Sequence, residues 1–149
     1  MTNTAIKTHR ARIRRHLRKL AEIDSDIGQA VELVGFPEPR VRSQGFDVFV
    51  HTVISQQLSV AAAESIWRRF TTKFDPLTPE RVFRARTATL RGVGLSARKV
   101  DYVKGVARAF STGCLESDEL QALSDVEVIE RIMALKGFGI WSAEIYLMF

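Results

Sequence analysis

Cysteine is almost absent: Cys114 is the single thiol in 149 residues. One thiol rules out an internal disulfide framework and any multi-cysteine zinc or iron–sulfur site. It reads instead as a small hydrophobe near a helix end, and the chain as one suited to a reducing compartment. No uninterrupted apolar run is long enough to span a membrane. Alternation of credible strand length is missing too, as are tandem repeats and low-complexity segments. Acid is missing from residues 1–21, where arginine is abundant. That composition fits a transit peptide. It fits a basic first helix better, because Ile13, Leu17 and Leu20 share one helical face and the pattern continues through Ile23 and Ile27.

Against these absences stands a composition that is 46% hydrophobic, enough for one domain with a real core. The formal net charge is +5, and 16 of the 22 basic residues are arginine. A basic domain favours an anionic partner, nucleic acid first among them. Periodicity is helical nearly throughout. Phe46, Phe49, Val50, Val53 and Ile54 follow the spacing of one apolar helix face. Val60, Ala63, Trp67 and Phe70 repeat it, then Val100, Val103, Ala107 and Phe110. Ile129, Ile132 and Met133 form a shorter stripe, and residues 141–149 are apolar nearly all round, as in a buried helix.

Punctuation agrees with this segmentation. Gly35, Pro37 and Pro39 mark a loop, and Asp75-Pro76 closes the Trp67 segment. Thr78-Pro79-Glu80 reads as N-cap, first-turn proline and acid near the positive helix end. Ser124 and Glu127 make a capping-box pattern, and Gly113 reads as a helix stop. The expectation is an all-α chain, one helical domain with N-terminal helices over 1–45 and a core over 46–149.

The chemistry concentrates in Leu135-Lys136-Gly137-Phe138-Gly139-Ile140-Trp141-Ser142-Ala143. A helix ends, two glycines flank one apolar residue, and a new helix begins. Glycine permits positive φ and close approach of another backbone. Amides at the following helix start attract an anion, so the turn suits a phosphate, with Lys136 as a further contact. Taken alone, the same pattern also fits an ordinary corner between two helices.

Two further blocks precede it. Ile54-Ser55-Gln56-Gln57-Leu58-Ser59 leads into Ala61, Ala62 and Ala63, and Leu90-Arg91-Gly92-Val93-Gly94-Leu95-Ser96-Ala97-Arg98-Lys99 opens a long helix. In this order and spacing the three blocks resemble the helix-hairpin-helix (HhH-GPD) DNA glycosylases, of the bacterial DNA-3-methyladenine glycosylase II type. The resemblance covers residues 46–149 well and 17–36 loosely.

That resemblance implies the helix-hairpin-helix glycosylase fold. It also implies a monofunctional base excision repair enzyme that flips an alkylated purine out of double-stranded DNA and hydrolyses its N-glycosidic bond. Gln57 takes the position of the wedge that fills the vacated stack, although an exposed or capping amide is its plain reading. Ser59 and Ser96 fall where the family touches DNA, and each also fits an N-cap. Arg98 and Lys99 would lie near that surface, or form a solvated charge pair. Gly137 and Gly139 would donate amides to a phosphate, a contact that sets register without reading sequence. Backbone carbonyls of Met133, Leu135 and Gly137 would hold a monovalent cation, Na⁺ or K⁺, and no other cofactor is implied. Trp141 stands where bifunctional relatives carry a Schiff-base lysine, so amine attack is not expected. Its ring suits a cationic alkylpurine and equally suits packing of the hairpin. The family's catalytic aspartate lies one helix and one loop past the hairpin, whereas ten residues follow Gly139 here. The expectation is therefore that this position and the last helices lie beyond Phe149. The chain would then be either a fragment of an active enzyme or a truncated product that binds DNA without catalysis. Its exposed apolar surface would compromise its solubility. A cytoplasmic, nucleoid-associated setting without an obligate protein partner completes the expectation.

Overall fold

The computed structural model describes residues 3–39 and 45–148, with no strand among them. The chain forms two compact units, Met1–Val41 and Arg42–Phe149.

In the first unit, α1 (Asn3–Ile23) packs on α2 (Ser25–Val34). The apolar pattern that runs through Ile23 into Ile27 is broken between them. The Asp24 side chain accepts from the amides of Asp26 and Ile27 and starts a new helix. Ile13 and Leu17 are half-buried, whereas Ile23 is 85% exposed. Arg14 and Arg18 lie over the Phe36 ring, each 5.6 Å from its centroid, and Arg10 pairs with Glu38.

The second unit holds α3 (Phe46–Ser55), α4 (Val60–Lys73), α5 (Pro79–Arg84), α6 (Thr87–Gly92), α7 (Ala97–Ser111), α8 (Ser117–Ala122), α9 (Asp125–Met133) and α10 (Ile140–Met148). Helix α7 is central, packed by α3, α5 and α6. The five stripe positions of α3 are all buried, as predicted, and Val48 off the stripe is partly buried. Phe49 meets Phe110, Phe138 and Tyr146, which joins α3, α7, the 135–139 turn and α10 in one aromatic cluster.

Caps follow the expected chemistry. Thr78, Ser96 and Ser124 each accept an amide at their helix start, with Pro79 in the first turn of α5, and Ser124 and Glu127 form the full capping box. Three apolar expectations differ. Val60, the first residue of α4, is 81% exposed, so the buried stripe of that helix begins at Ala63. In α9 the buried pair is Val128 and Ile132 at i, i+4, while Met133 turns outward. Helix α10 buries Ser142, Ala143 and Tyr146 on one face only and exposes Ile140, Trp141 and Met148 on the other.

Candidate nucleic-acid interface

Helix α3 stops at Gln56, whose φ of −53° and ψ of 127° leave the helical region. The next residue, Gln57, has φ 55° and is the one non-glycine residue with positive φ among those described. A side chain in the left-handed region costs about 1–2 kcal/mol, so its surroundings must hold it there. They do so from two sides. Lys99 Nζ, at the start of α7, donates to the carbonyls of Ile54 (2.7 Å) and Gln56 (2.9 Å). Gln56 Nε2 donates to the Gly137 carbonyl at 2.8 Å. The Gln57 side chain is left exposed, and Ser59 then starts α4 by accepting the Ala62 amide.

Lys99 is therefore more than a solvated charge: it is half-buried and its ammonium engages two carbonyls. Its ammonium caps the carbonyl end of α3, where helix carbonyls lack intrahelical partners and cation charge is favourable. Burial draws its pKa below the ordinary lysine value. Arg98 beside it is exposed. Ser96 Oγ accepts the Lys99 amide at 3.3 Å, so its capping role is realised. The Gly92–Gly94 turn before it is pinned by Arg69, which donates through Nε to Val93 O and through Nη1 to Ser65 Oγ.

The two hairpin glycines do different work. Gly137 has φ 93°, and a Cβ there would sit 2.3 Å from the Tyr102 ring. Glycine is required at Gly137 because α7 presses an aromatic face against the turn. At Gly139 a Cβ would meet nothing within 4 Å. Gly139 O accepts the amides of Ser142 and Ala143 as α10 begins, and the residue is exposed. The amides of Gly137 and Gly139 donate to no acceptor among the described residues. Two uncommitted N–H groups at a helix start are what an anion needs. Lys136 is exposed next to them, and Phe138 anchors the turn in the core.

A cleft of about 1090 Å³ opens between these elements. It gathers Gln56 and Gln57 from the first block, Ser96, Arg98 and Lys99 from the second, and Gly137 and Trp141 from the third. Ser59, Lys136, Gly139, Met133 and Leu135 lie outside its lining. Trp141 is 65% exposed, which removes the reading of it as a core ring packing the hairpin. Tyr102 is half-buried, packs against the core and also lines the cleft.

Sequence reading gives His51 no role beyond a satisfied helix histidine and does not single out Glu64. His51 Nε2 lies 3.4 Å from Glu64 Oε1, its Nδ1 lies 3.4 Å from Ser55 Oγ, and its ring meets Trp67 edge-on at 5.0 Å. Only the i, i+4 spacing of His51 and Ser55 was available to suggest any of this. No group of three or more His, Cys, Asp or Glu poised for a metal exists among the described residues. Of the three carbonyls implied for a monovalent cation, Leu135 O already accepts the Phe138 amide and Gly137 O accepts Gln56.

Comparison with known proteins matches residues 50–141 to the HhH-GPD superfamily base excision DNA repair protein family. A DNA-3-methyladenine glycosylase 1 of Schizosaccharomyces pombe is 33% identical over 139 residues, which cover 87% of this chain and 60% of that protein. The crystal structure of a Bacillus halodurans DNA-3-methyladenine glycosidase superposes with a TM-score of 0.76 at 33% identity, covering 87% of this chain and 60% of that one. A fission-yeast 3-methyladenine DNA glycosylase in complex with abasic DNA gives 0.80 at 32% identity, with 89% and 68% covered. The chain thus spans about 60% of the length of the first of these relatives. With the matched segment holding the first two motif blocks and the third as far as Trp141, and the fold agreeing, the chain belongs to the HhH-GPD superfamily of base excision DNA repair proteins.

Proposed function

We propose that this chain carries the duplex-engaging and base-pocket part of a monofunctional DNA glycosylase that removes alkylated purines of the 3-methyladenine type from double-stranded DNA. The observation that carries the reading is the cleft itself, with a left-handed, exposed Gln57 and an exposed Trp141 both in its lining. A nucleotide flipped from the stack leaves a gap, and Gln57 has the exposed amide to fill it and to hydrogen-bond the orphaned base. The free amides of Gly137 and Gly139, with Lys136, would take a backbone phosphate and fix register. Ser59 and Ser96, exposed at their helix starts, would touch the adjacent duplex.

An alkylated purine is cationic, and the open face of Trp141 attracts a cation by about 0.5–2 kcal/mol. Its positive ring is also a good leaving group. The C1′–N bond breaks with its electron pair going to the base, and water adds to the sugar carbon. The one amine lining the cleft among the described residues, Lys99 Nζ, is committed to two carbonyls, which supports hydrolysis over Schiff-base attack. A monovalent cation on the free lone pairs of the Met133, Leu135 and Gly137 carbonyls would add positive charge facing the phosphate. Alkali ions favour such oxygen donors.

A second reading has one observation in its favour. Among the described residues Glu64 is the single carboxylate lining the cleft, and it faces His51. These residues alone would then bind DNA without hydrolysing it.

Purine release from methylated duplex DNA, measured beside binding to abasic-analogue and undamaged duplexes, tests both. Release that falls roughly 2- to 30-fold in Trp141→Ala, with its thermal midpoint unchanged, supports the glycosylase reading. Salt-sensitive, damage-selective binding without release favours the binding module. Absence of both binding and release would overturn the proposal.

A further inference from the structure

The wedge role of Gln57 raises a question the motif does not answer: what keeps a non-glycine residue at φ 55° while its side chain stays free. Helices that end in a left-handed residue usually place glycine there, because its lack of a Cβ removes the penalty. Here the solution comes from another helix. The carbonyls of Ile54 and Gln56 flank the last residue of α3, and both accept Lys99 Nζ. Gln56 is gripped twice, by Lys99 at its carbonyl and by the Gly137 carbonyl at its side-chain amide. Tyr102, three residues after Lys99 and so on the same side of α7, fills the space above Gly137. Helix α7 thereby touches the wedge turn with one side chain and the hairpin turn with another.

We propose that Lys99 is a positioning residue: by clamping the Ile54 and Gln56 carbonyls it presets the Gln57 turn for insertion, and through Gln56 it ties that turn to the phosphate-binding hairpin. The inference rests on the wedge reading of Gln57. It differs from the plain expectation for a lysine in a DNA-binding block, which is a phosphate contact. Two of the three ammonium donors are spent inside the protein, so Lys99 acts on DNA through Gln57 and not through charge.

The test uses a duplex with an abasic analogue opposite 2-aminopurine, whose fluorescence reports unstacking by the wedge. Lys99→Met, Gln57→Ala and the double variant are compared, with binding measured over a range of salt. Lys99→Met is expected to weaken abasic-duplex binding about tenfold, the factor set by one unsupported left-handed residue. It should also suppress the fluorescence change and leave the salt slope as it was. The double variant should bind no more weakly than Gln57→Ala, because both changes remove one action. Should Lys99→Met melt below the assay temperature, Lys99→Gln takes its place with the same outcomes required. A salt slope reduced by about 0.9 with the fluorescence change intact would make Lys99 a phosphate ligand and overturn the inference. Additive losses would overturn it as well. If Gln57→Ala by itself changes neither binding nor fluorescence, the wedge reading fails and the inference falls with it. A Gln57→Ala effect beside additive Lys99→Met losses refutes the inference alone.

Discussion

Glycine at two neighbouring positions of the hairpin offers a sharp contrast at the scale of single residues. Gly137 combines φ 93° with a Tyr102 ring 2.3 Å from any Cβ, and that ring belongs to the packed face of α7. Gly137→Ala must therefore accept backbone strain and displace an aromatic side chain, at a cost of about 2–4 kcal/mol. Gly139 has open space where its Cβ would be, so Gly139→Ala should change stability by less than about 0.5 kcal/mol. Thermal denaturation of the two variants measures this difference. Their DNA binding separates structure from contact. On the proposed phosphate role of the hairpin, Gly139→Ala would keep the fold yet set a methyl in the path of the phosphate, so duplex affinity should fall without loss of melting temperature. Equal melting temperatures for the two variants would refute the steric assignment. The motif pattern made both glycines visible, but only the coordinates show which one the fold demands. The ring that demands it comes from a helix 35 positions earlier in the chain.

At the scale of elements, local chemistry was legible and cross-chain chemistry was not. Caps at Thr78, Ser96 and Ser124 follow from short-range rules, because donor and acceptor lie within three residues of each other. The α3 stripe was legible for the same reason. Val60 misled because the first residue of a helix sits at its rim, where apolar character does not secure burial. The clamp on α3 escaped entirely, since its partners are 43 to 81 residues apart and no periodicity connects them. The α9 capping box gives a test of the legible part. Glu127 takes hydrogen bonds from the Ser124 hydroxyl (2.6 Å) and amide (2.8 Å), which hold its carboxyl below the ordinary glutamate range. A depressed folded-state value contributes stability above the unfolded value, about 4.3, and loses it as pH falls through the folded value. Ser124→Ala should lower the melting temperature by roughly 2–4 °C near pH 7. That deficit should narrow below about pH 4, as Glu127 protonates in both proteins. A deficit independent of pH would show that only the untitrating contact of Ser124 with the Glu127 amide matters.

On the scale of the whole molecule, charge is distributed unevenly, and the uneven part is α1. Helix α1 holds seven lysines and arginines against Glu22 alone, while the rest of the chain holds 15 basic and 16 acidic residues. The net charge of +5 thus originates in one helix, and the unit with the hairpin and cleft lies close to neutrality. Within α1 the basic residues divide by function. Arg10, Arg14 and Arg18 are used within their own unit, against Glu38 and Phe36. Arg12, Arg15 and Lys19, spaced along one helix face, are exposed and make no ion pair among the described residues. In the proposed DNA complex, a solvated ridge of this kind would add counterion release without adding damage selectivity, whereas the hairpin amides and Gln57 would act at short range. Converting Arg12, Arg15 and Lys19 together to glutamine should lower the slope of log affinity against log salt by about 1 to 3. It should weaken binding to damaged and undamaged duplexes by the same factor, since non-specific phosphate contacts do not distinguish them. On the proposed wedge role of Gln57, fluorescence of 2-aminopurine opposite an abasic analogue should keep its full change once the protein is saturating, because the Gln57 turn is held by Lys99 and Gln56 in the other unit. An unchanged slope would assign the electrostatic part of binding to the near-neutral core. A selective loss on damaged DNA would mean that α1 reaches the lesion side of the duplex.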